Sequence, residues 1–500
     1  MERAKDTDYT INYLSSVLEN YIQRYPEDIR VSQMNEAQLC KAFKRYMVGT
    51  EAGVEHCFLS IDGDYIYMYD GKCFKAVDEV KIKYCIMEVL ERLEVNDLYS
   101  NNSCKKIADV CMIKLRADEE LQFEPNRRWA IFDNCVYDLM DFKVKEHSIE
   151  YHSDLRFNFN YKENAYSALW AEKLAETIPD ESMRLSFQEF CGSLLDCRNY
   201  KIELACFMVG GSGQNGKTMI AMAIKGIFDS SVVSRHTFDL LFKSDRREYY
   251  IADADGKVLN FVDDLDYKDF SGGIFKSFVS NDEFSARSPY GRPIKTKKLP
   301  KLLCTVNDLP PTTDDSGGYE RRILPILCPN YITEEMKDET LPEKLKAEEV
   351  KQAIFCWMLE GYKRVVANNG KVTVPNSAKE VREEYMAQSN SARRWISESG
   401  YIPVMPNSPN DIHWKSLEEL MPTYREFCMK MNDQARTANS VGKVLARMGF
   451  RKSRRNGRSF YCIGVKGVDK GVKMSEYDKK MNEYKSVDEE VVVDNDDLPF

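Results

Sequence analysis

Between Gly211 and Arg322 four groups of residues stand in an order that suits chemistry on a phosphate chain. The first is GSGQNGKT, comprising Gly211, Ser212, Gly213, Gln214, Asn215, Gly216, Lys217 and Thr218. It fits the pattern G-x-x-x-x-G-K-[ST], in which glycines let backbone N–H groups turn onto phosphate oxygens, the lysine reaches the outer phosphates and the hydroxyl ligates Mg²⁺. The second is KVLNFVDDLD, where an apolar run from Val258 to Val262 ends in Asp263 and Asp264. Acids so placed can hold a magnesium ion and polarise a water. The third is Asn307 in LLCTVNDLPP, a polar residue closing another apolar run and able to sense a terminal phosphate; taken alone, Asn-Asp-Leu-Pro is also an ordinary turn. The fourth is the pair Arg321 and Arg322 in SGGYERRILPI. An arginine there can stabilise transition-state charge on a nucleotide held by a neighbouring subunit, although paired arginines are equally at home as surface charges or in local salt bridges.

A glycine loop of this kind works only when a strand delivers it and a helix leaves it. ACFMV precedes the loop as an apolar strand, and MIAMAIKGIF follows as a helix. The spacing from Lys217 to Asp263 leaves room for one helix and one further strand. From the loop to about Cys328 the pattern repeats strand, loop and helix, which predicts an α/β core. Upstream, YTINYLSSVLENYIQRY and VDEVKIKYCIMEVLERLEV read as helices, while CFLSIDGDYIYMYDGKCFKAV and WAIFDNCVYDLMDFKVKEH alternate as small antiparallel sheets. Ser167 to Leu195 is helical in pattern. Downstream comes more helix (EEVKQAIFCWMLEGYKRVVANNG), then ESGYIPVMPNSPNDIH, whose three prolines predict a boundary loop. Residues 413–466 form a short helix-rich module ending in a basic hairpin.

Composition bounds the rest. With 500 residues and 43% apolar content the chain can bury two to four domains. No run of eighteen apolar residues occurs, and MERAKDTDYTINYL is no signal segment, which predicts a soluble cytoplasmic protein with no membrane partner. The 15 cysteines form no CxxC pairs and the five histidines do not fall at ligand spacing beside them, so reduced thiols are expected rather than a zinc site. The net charge of −9 hides a segregation: Arg436 to Lys470 holds ten Lys or Arg against one acid, and Gly471 to Phe500 nine acids against four lysines.

The loop, Asp-Asp, Asn and Arg-Arg, in this order, resemble the AAA+ core of superfamily 3 DNA helicases, of the poxvirus primase-helicase and satellite-phage type. In that family the segment between the acids and the asparagine carries a Lys, a Gly-Asp pair and a basic hairpin that enters a ring channel. Here IFKSFVSNDEFSARSPYGRPIKTKKLPKLL offers Lys276, then Asn281-Asp282 where Gly-Asp is usual, then a turn at SPYGRP with Arg287, Tyr290, Arg292, Lys295, Lys297 and Lys298 around it. Rings of such side chains would grip a phosphate backbone without reading bases; without the family, the same run reads as a solvated basic face. The resemblance implies an α/β fold, an AAA+ P-loop ATPase core preceded by an α+β and helical collar region and followed by a winged-helix module. Its spans are an N-terminal region (1–120), a pre-helicase domain with collar (121–200), the core (201–330), a helical segment (331–400), the winged-helix module (401–470) and an acidic tail (471–500), expected to be disordered. It implies ATP and Mg²⁺ as cofactors, and a homo-hexameric ring moving 3′ to 5′ on single-stranded or forked DNA during replication of a phage, plasmid or mobile element in a bacterial cytoplasm. An AAA+ initiator or helicase loader is the alternative, and a DNA tether with a decayed core a third reading. Primase activity is not expected, because Asp62 and Asp64 in SIDGDY sit in what reads as a hairpin turn.

SLEELMPTYREFCMKMN, TANSVGKVLARMGF and RKSRRNGRSFYCIGV read as two helices and a basic hairpin turned at Asn456-Gly457, the pattern of a winged helix. Its phosphate contacts are expected at Arg447, Arg451, Lys452, Arg454, Arg455 and Arg458. The last residues, Asp496, Asp497, Leu498, Pro499 and Phe500, resemble the C-terminal tip of bacterial single-stranded DNA-binding proteins, which implies docking to host replication proteins; an ordinary acidic tail shielding the basic hairpin is the other reading.

Overall fold

A computed structural model describes residues 8–19, 35–48, 58–61, 65–95, 101–117, 127–211, 214–263, 272–287, 293–310, 317–333, 335, 337–405, 412–431, 433, 435–455 and 457–466. Asp62, Asp64, Ser212, Gly213, Asp264, Tyr290, Arg292, Asn456 and the tail from Asp496 to Phe500 lie outside them. The chain divides into two compact units, residues 1–310 with 321–379, and residues 311–320 with 380–500.

The first unit opens with α1 (Asp8–Glu19) and α2 (Glu36–Val48), the antiparallel strands β1 (Phe58–Ile61), β2 (Tyr65–Tyr69) and β3 (Phe74–Val77), then α3 (Glu79–Arg92) and α4 (Asn101–Ala117). Asp78 starts α3 by accepting the Lys81 N–H at 2.8 Å. Leu14, Phe43, Phe74, Ile86, Val89 and Ile107 share one apolar core, so helices and sheet stand on each other. A second small sheet follows in β4 (Trp129–Ile131), β5 (Val136–Asp138) and β6 (Lys143–Lys145). Ion pairs tie the two sheets, Lys72 to Asp133 at 2.9 Å and Arg156 to Asp70 at 2.7 Å.

The helical stretch predicted over 167–195 is two helices, α5 (Ala168–Thr177) and α6 (Glu181–Gly192). Pro179 stops the first, and Asp180 restarts the chain by accepting the Met183 N–H at 3.1 Å.

The core runs β7 (Ala205–Val209), α7 (Lys217–Lys225), β8 (Val233–Ser234), α8 (Arg247–Ala254), β9 (Leu259–Asp263), α9 (Gly272–Val279), a hairpin of β10 (Ser285–Ala286) and β11 (Ile294–Lys295), β12 (Lys301–Val306), α10 (Gly317–Glu320, in the second unit's span) and β13 (Ile323–Leu327). Its five parallel strands stand in the order β13-β7-β12-β9-β8. β7, β12 and β13 are buried almost throughout, as strands covered on both faces must be. Two α-helices, α7 and α8, and a five-residue π-helical turn, Asp239–Lys243, fall between Lys217 and Asp263 rather than one helix. α8 escapes a periodicity reading because its buried residues, Ile251, Ala252 and Ala254, are confined to its last turn, too short a stretch to show a repeat.

After the core come α11 (Leu341–Lys344), α12 (Glu348–Ala367) and α13 (Asn376–Ser389). Phe355 of α12 meets Phe132 and Phe157 at 4.7 and 5.0 Å, fixing the helix to the second sheet. α12 and α6 approach until glycine alone fits: a Cβ on Gly361 would lie 2.1 Å from the Gln188 carbonyl oxygen, and one on Gly192 2.3 Å from the Tyr362 nitrogen.

The second unit contains α14 (Ser391–Glu398), β14 (Tyr401–Pro403), β15 (Trp414–Ser416), α15 (Leu417–Lys430), α16 (Ala438–Arg447), β16 (Lys452–Arg455) and β17 (Arg458–Val465). Trp395, Tyr424, Val441, Leu445, Phe450 and Ile463 form its core. Ser416 and Glu419 close a reciprocal capping box at the start of α15, and Thr437 caps α16. The predicted boundary loop is part strand: Tyr401, Ile402 and Pro403 pair with Val465, Gly464 and Ile463. Pro403 is accommodated because β14 is an edge strand. Among the described residues no helix is long and apolar enough to cross a membrane.

The glycine contact between α6 and α12 yields a direct expectation. Gly361→Ala should lower stability by roughly 1–3 kcal/mol through overpacking against backbone, read as a shifted urea midpoint; an unshifted midpoint would refute the close approach.

Candidate functional site

β12 lies between β7 and β9, with Val306 beside Val209 and Thr305 beside Asp263. The glycine loop, Asp263 and Asn307 are therefore all delivered to the same end of the sheet, where the strands exit. Gly216 opens α7 at φ +79, a left-handed conformation, and a Cβ there would stand 2.7 Å from Thr177 Oγ1. The turn thus requires glycine twice over, for its backbone and for its neighbour.

From that turn Lys217 points inward. Its side chain is buried, and Nζ donates to Asn307 Oδ1 at 3.1 Å, Asn215 Oδ1 at 3.2 Å and the Gly210 carbonyl at 3.3 Å. All three acceptors are neutral, so among the described residues the ammonium has no counter-ion. Buried charge without a counter-ion is costly, and an anionic ligand would relieve that cost. Asn215 is buried too, and its Nδ2 has no hydrogen-bond partner in the described residues. One strand over, exposed Asp263 Oδ1 accepts from Thr218 Oγ1 at 3.1 Å and from Thr305 Oγ1 at 2.6 Å. An unpaired ammonium, an orphaned amide donor and a carboxylate held by two hydroxyls fit a phosphate chain with a divalent cation.

Thr305 was not among the residues expected from sequence. The signal was present: alternation along β12 puts Thr305 on the same face as Asn307, one residue past the strand, at the sheet end where Lys217 and Asp263 also stand.

Arg321 and Arg322 lie at the opposite end of the sheet. Ala205 N–H, at the entry end of β7, donates to the Arg322 carbonyl at 2.8 Å. A five-residue strand spans about 16 Å, so neither guanidinium is aimed at this chain's own glycine loop. The two differ. The Arg322 side chain is 10% exposed, pairs with Glu203 at 2.9 Å and donates from Nε to Ser280 Oγ at 3.0 Å. That of Arg321 is 66% exposed and reaches Glu203 only at 3.4 Å.

The basic run divides in the same manner. Asn281 adopts φ +58 and accepts the Leu299 N–H on its Oδ1 at 2.7 Å. Asparagine tolerates this left-handed geometry better than most residues. β10 and β11 pair Ser285 with Lys295 and Ala286 with Ile294. Beside these pairs Arg287, just past β10, pairs with Glu248 at 2.8 Å, and Lys295 of β11 with Glu283 at 2.8 Å. Lys276 is half-buried on α9, and Lys297 is exposed. Lys298 turns inward, donating to Asn199 Oδ1 at 3.1 Å.

In the second unit Arg447, Arg451, Lys452, Arg454 and Arg458 are exposed. Arg458 lies 3.4 Å from Glu418. Arg455 alternates to the other face of β16, is half-buried and stacks over Trp414 and Phe460 at 5.1 and 5.5 Å.

The sequence matches a family of unknown function, DUF5906, over residues 208–322, from the end of β7 to Arg322. No curated protein matches the chain. Among solved structures the chain is similar to the apo C-terminal region of NrS-1 (305–718), at 12% identity and a TM-score of 0.45, covering 81% of this chain and 95% of that one. It is similar also to the A form of that region, at 11% identity and a TM-score of 0.44 with 81% and 95% covered, and to the A form (305–718) at 11% and 0.46 with 81% and 96% covered. Likeness at that distance says nothing of activity.

The two arginines should separate in denaturation experiments. Arg322→Ala removes one partner of a mostly buried pair and should cost about 2–3 kcal/mol, whereas Arg321→Ala should cost under about 1 kcal/mol, as exposed pairs do. Equal losses would mean that Arg321 supports the fold as strongly as its neighbour does.

Proposed function

We propose that this chain is an ATP-dependent DNA helicase with an AAA+ core of the superfamily 3 kind, working as a hexameric ring during replication of a phage, plasmid or mobile element. The observation that carries the reading is the convergence of Lys217, Asn307, Thr218 and Asp263 at the exit end of three adjacent parallel strands. The strand order, which sets Asn307 between the loop and the acid, supports it.

Lys217, Asn215 and the loop amides would hold the triphosphate; Thr218 and Asp263 would hold Mg²⁺, with Asp264 beside them. Bound Mg·ATP supplies the scissile phosphoanhydride and the charge that polarises it. The rest is work for the chain. Lys217 neutralises phosphate charge from a buried position. Asn307, held by the hydrogen bond from Lys217, would contact the terminal phosphate and orient a water. Thr305 fixes the carboxylate of Asp263. Arg321, exposed and loosely held, is the better of the two candidates for reaching the nucleotide of the next subunit, while Arg322 anchors the turn.

DNA would be gripped by the hairpin β10–β11 through Arg287, Lys295 and Lys297, together with Tyr290 and Arg292 from the segment joining its strands. The second unit supports a winged-helix reading: α16 for a groove and the β16–β17 hairpin for the backbone, through Arg447, Arg451, Lys452, Arg454 and Arg458. The acidic tail ending in Phe500 would recruit host replication proteins. Translocation 3′ to 5′ belongs to the same proposal.

Lys217→Ala and Asn307→Ala should each reduce DNA-stimulated ATP turnover by about 10²–10³-fold, the scale of losing one preorganised electrostatic contact. Arg321→Ala should match them. Mixing Lys217→Ala with Arg321→Ala subunits should restore part of the turnover, because some interfaces then hold both intact groups. Absence of restoration would sink the shared-site reading, and ATPase without strand displacement would point to a loader. For the second unit, a chain with Arg451, Arg454 and Arg458 all replaced by alanine should show a log K against log[salt] slope for duplex DNA flatter by roughly 2–3. An unchanged slope would remove the wing from the interface.

A further inference from the structure

At the entry end of the sheet, opposite the glycine loop, lies a cavity of about 480 Å³ bordered by Arg127, Asp196, Asn199, Lys298 and Lys301. Three cationic heads meet there, and their acceptors are all neutral. Lys298 Nζ donates to Asn199 Oδ1 at 3.1 Å and to the Asp196 carbonyl at 3.5 Å. Lys301 Nζ reaches the Ile202 carbonyl at 3.4 Å. Arg127 Nη2 takes the carbonyls of Gly256 and Lys257 at 2.6 and 2.7 Å. Among the described residues no carboxylate forms an ion pair with any of the three.

Two carboxylates border the cavity, and both are already engaged: Glu203 pairs with Arg322 at 2.9 Å and Lys201 at 3.2 Å, and Asp196 is held by hydrogen bonds. Its Oδ1 accepts from the Arg198 N–H at 3.0 Å and the Tyr362 hydroxyl at 3.3 Å, and its Oδ2 from the Tyr200 N–H at 2.9 Å. Burial, then the neighbouring Arg127 charge, pushes Lys298 down to about 8, and burial pushes Lys301 to the same value, with Arg127 again lowering and Asp196 opposing. Like charges crowd here, and although Asp154 and Asp255 oppose the crowding at Arg127 and Asp196 does so at all three, each cation is still held below its ordinary value.

We propose that this cavity is a second anion site, distinct from the glycine loop, that takes a phosphate group. Two ammonium point charges and a planar guanidinium fork around one space suit a compact, multiply charged oxyanion. The phosphate could belong to a nucleic-acid backbone or to a free phosphate. The cavity sits where the hairpin strand β11 runs through Lys297 and Lys298 into β12. The site does not depend on nucleotide hydrolysis at the other end of the sheet.

The test uses the full chain carrying Lys217→Ala, so that the glycine loop contributes little, titrated calorimetrically with inorganic phosphate at low salt. Saturable binding is expected, weakened at least tenfold by adding Lys301→Met and, independently, by adding Lys298→Met. Melting separates a ligand site from a structural network. Each methionine should leave the melting temperature of the phosphate-free protein unchanged or raised, because a half-buried cation without an ion-pair partner among the described residues is removed. No saturable binding, binding untouched by both methionines, or a lowered melting temperature with phosphate affinity unchanged would overturn the site. A dT12 oligonucleotide identifies the source: displacement of phosphate by it assigns the site to a nucleic-acid backbone, and phosphate binding that persists beside it assigns the site to free phosphate.

Discussion

The placement of β12 between β7 and β9 is the constraint on which the rest of the core depends. Parallel strands in register deliver their ends to one line, so the residues leaving each strand are set beside those leaving its neighbours. Here those successors are a glycine turn with its lysine, an asparagine and an aspartate. Each is ordinary alone: Asn307 could close a turn, and Asp263 could face solvent. Brought together, they leave an ammonium whose only described partners are neutral oxygens and a carboxylate steadied by two hydroxyls. One charge of each sign thus stands at the same sheet end without an ion-pair partner among the described residues.

Much of this was legible in the sequence because strand and loop chemistry are local. ACFMV, VLNFV and KLLCTV are apolar runs too short for helices, and glycine, asparagine and aspartate punctuate them. Residue order along the chain then coincides with placement at one sheet end, since every strand is parallel. Asn281 is instructive in the same way. A glycine position filled by asparagine reads as a departure, yet its φ of +58 lies in the one region where asparagine substitutes for glycine at little cost.

The features that could not be read were decided by tertiary approach. Arg455 and Arg454 are adjacent and chemically identical, but strand alternation sends Arg454 to solvent and Arg455 onto Trp414. Lys298 belongs by sequence to a run of basic residues, and only the fold turns its head toward Asn199. Gly192 and Gly361 carry no turn signal. They are glycines because two helix backbones touch, a relation between residues 169 positions apart. Pro403 argues for a loop until its strand is seen to be an edge.

The sheet has two ends of opposite construction joined by one strand. β12 begins at Lys301, beside the cationic cavity, and ends before Asn307, which holds the buried lysine of the glycine loop. Its side chains from Leu302 to Val306 are buried without exception, so the strand cannot slide at one end without repacking along its whole length. Arg322 adds a second tie, since it joins the start of β13 to Ser280 at the base of the hairpin. A change in charge at either end therefore meets a stiff connection rather than a loose one. Motion in such a core has to be taken up by the connections between strands, and the candidate hairpin and the exposed arginine stand on the connections that enter and leave β12.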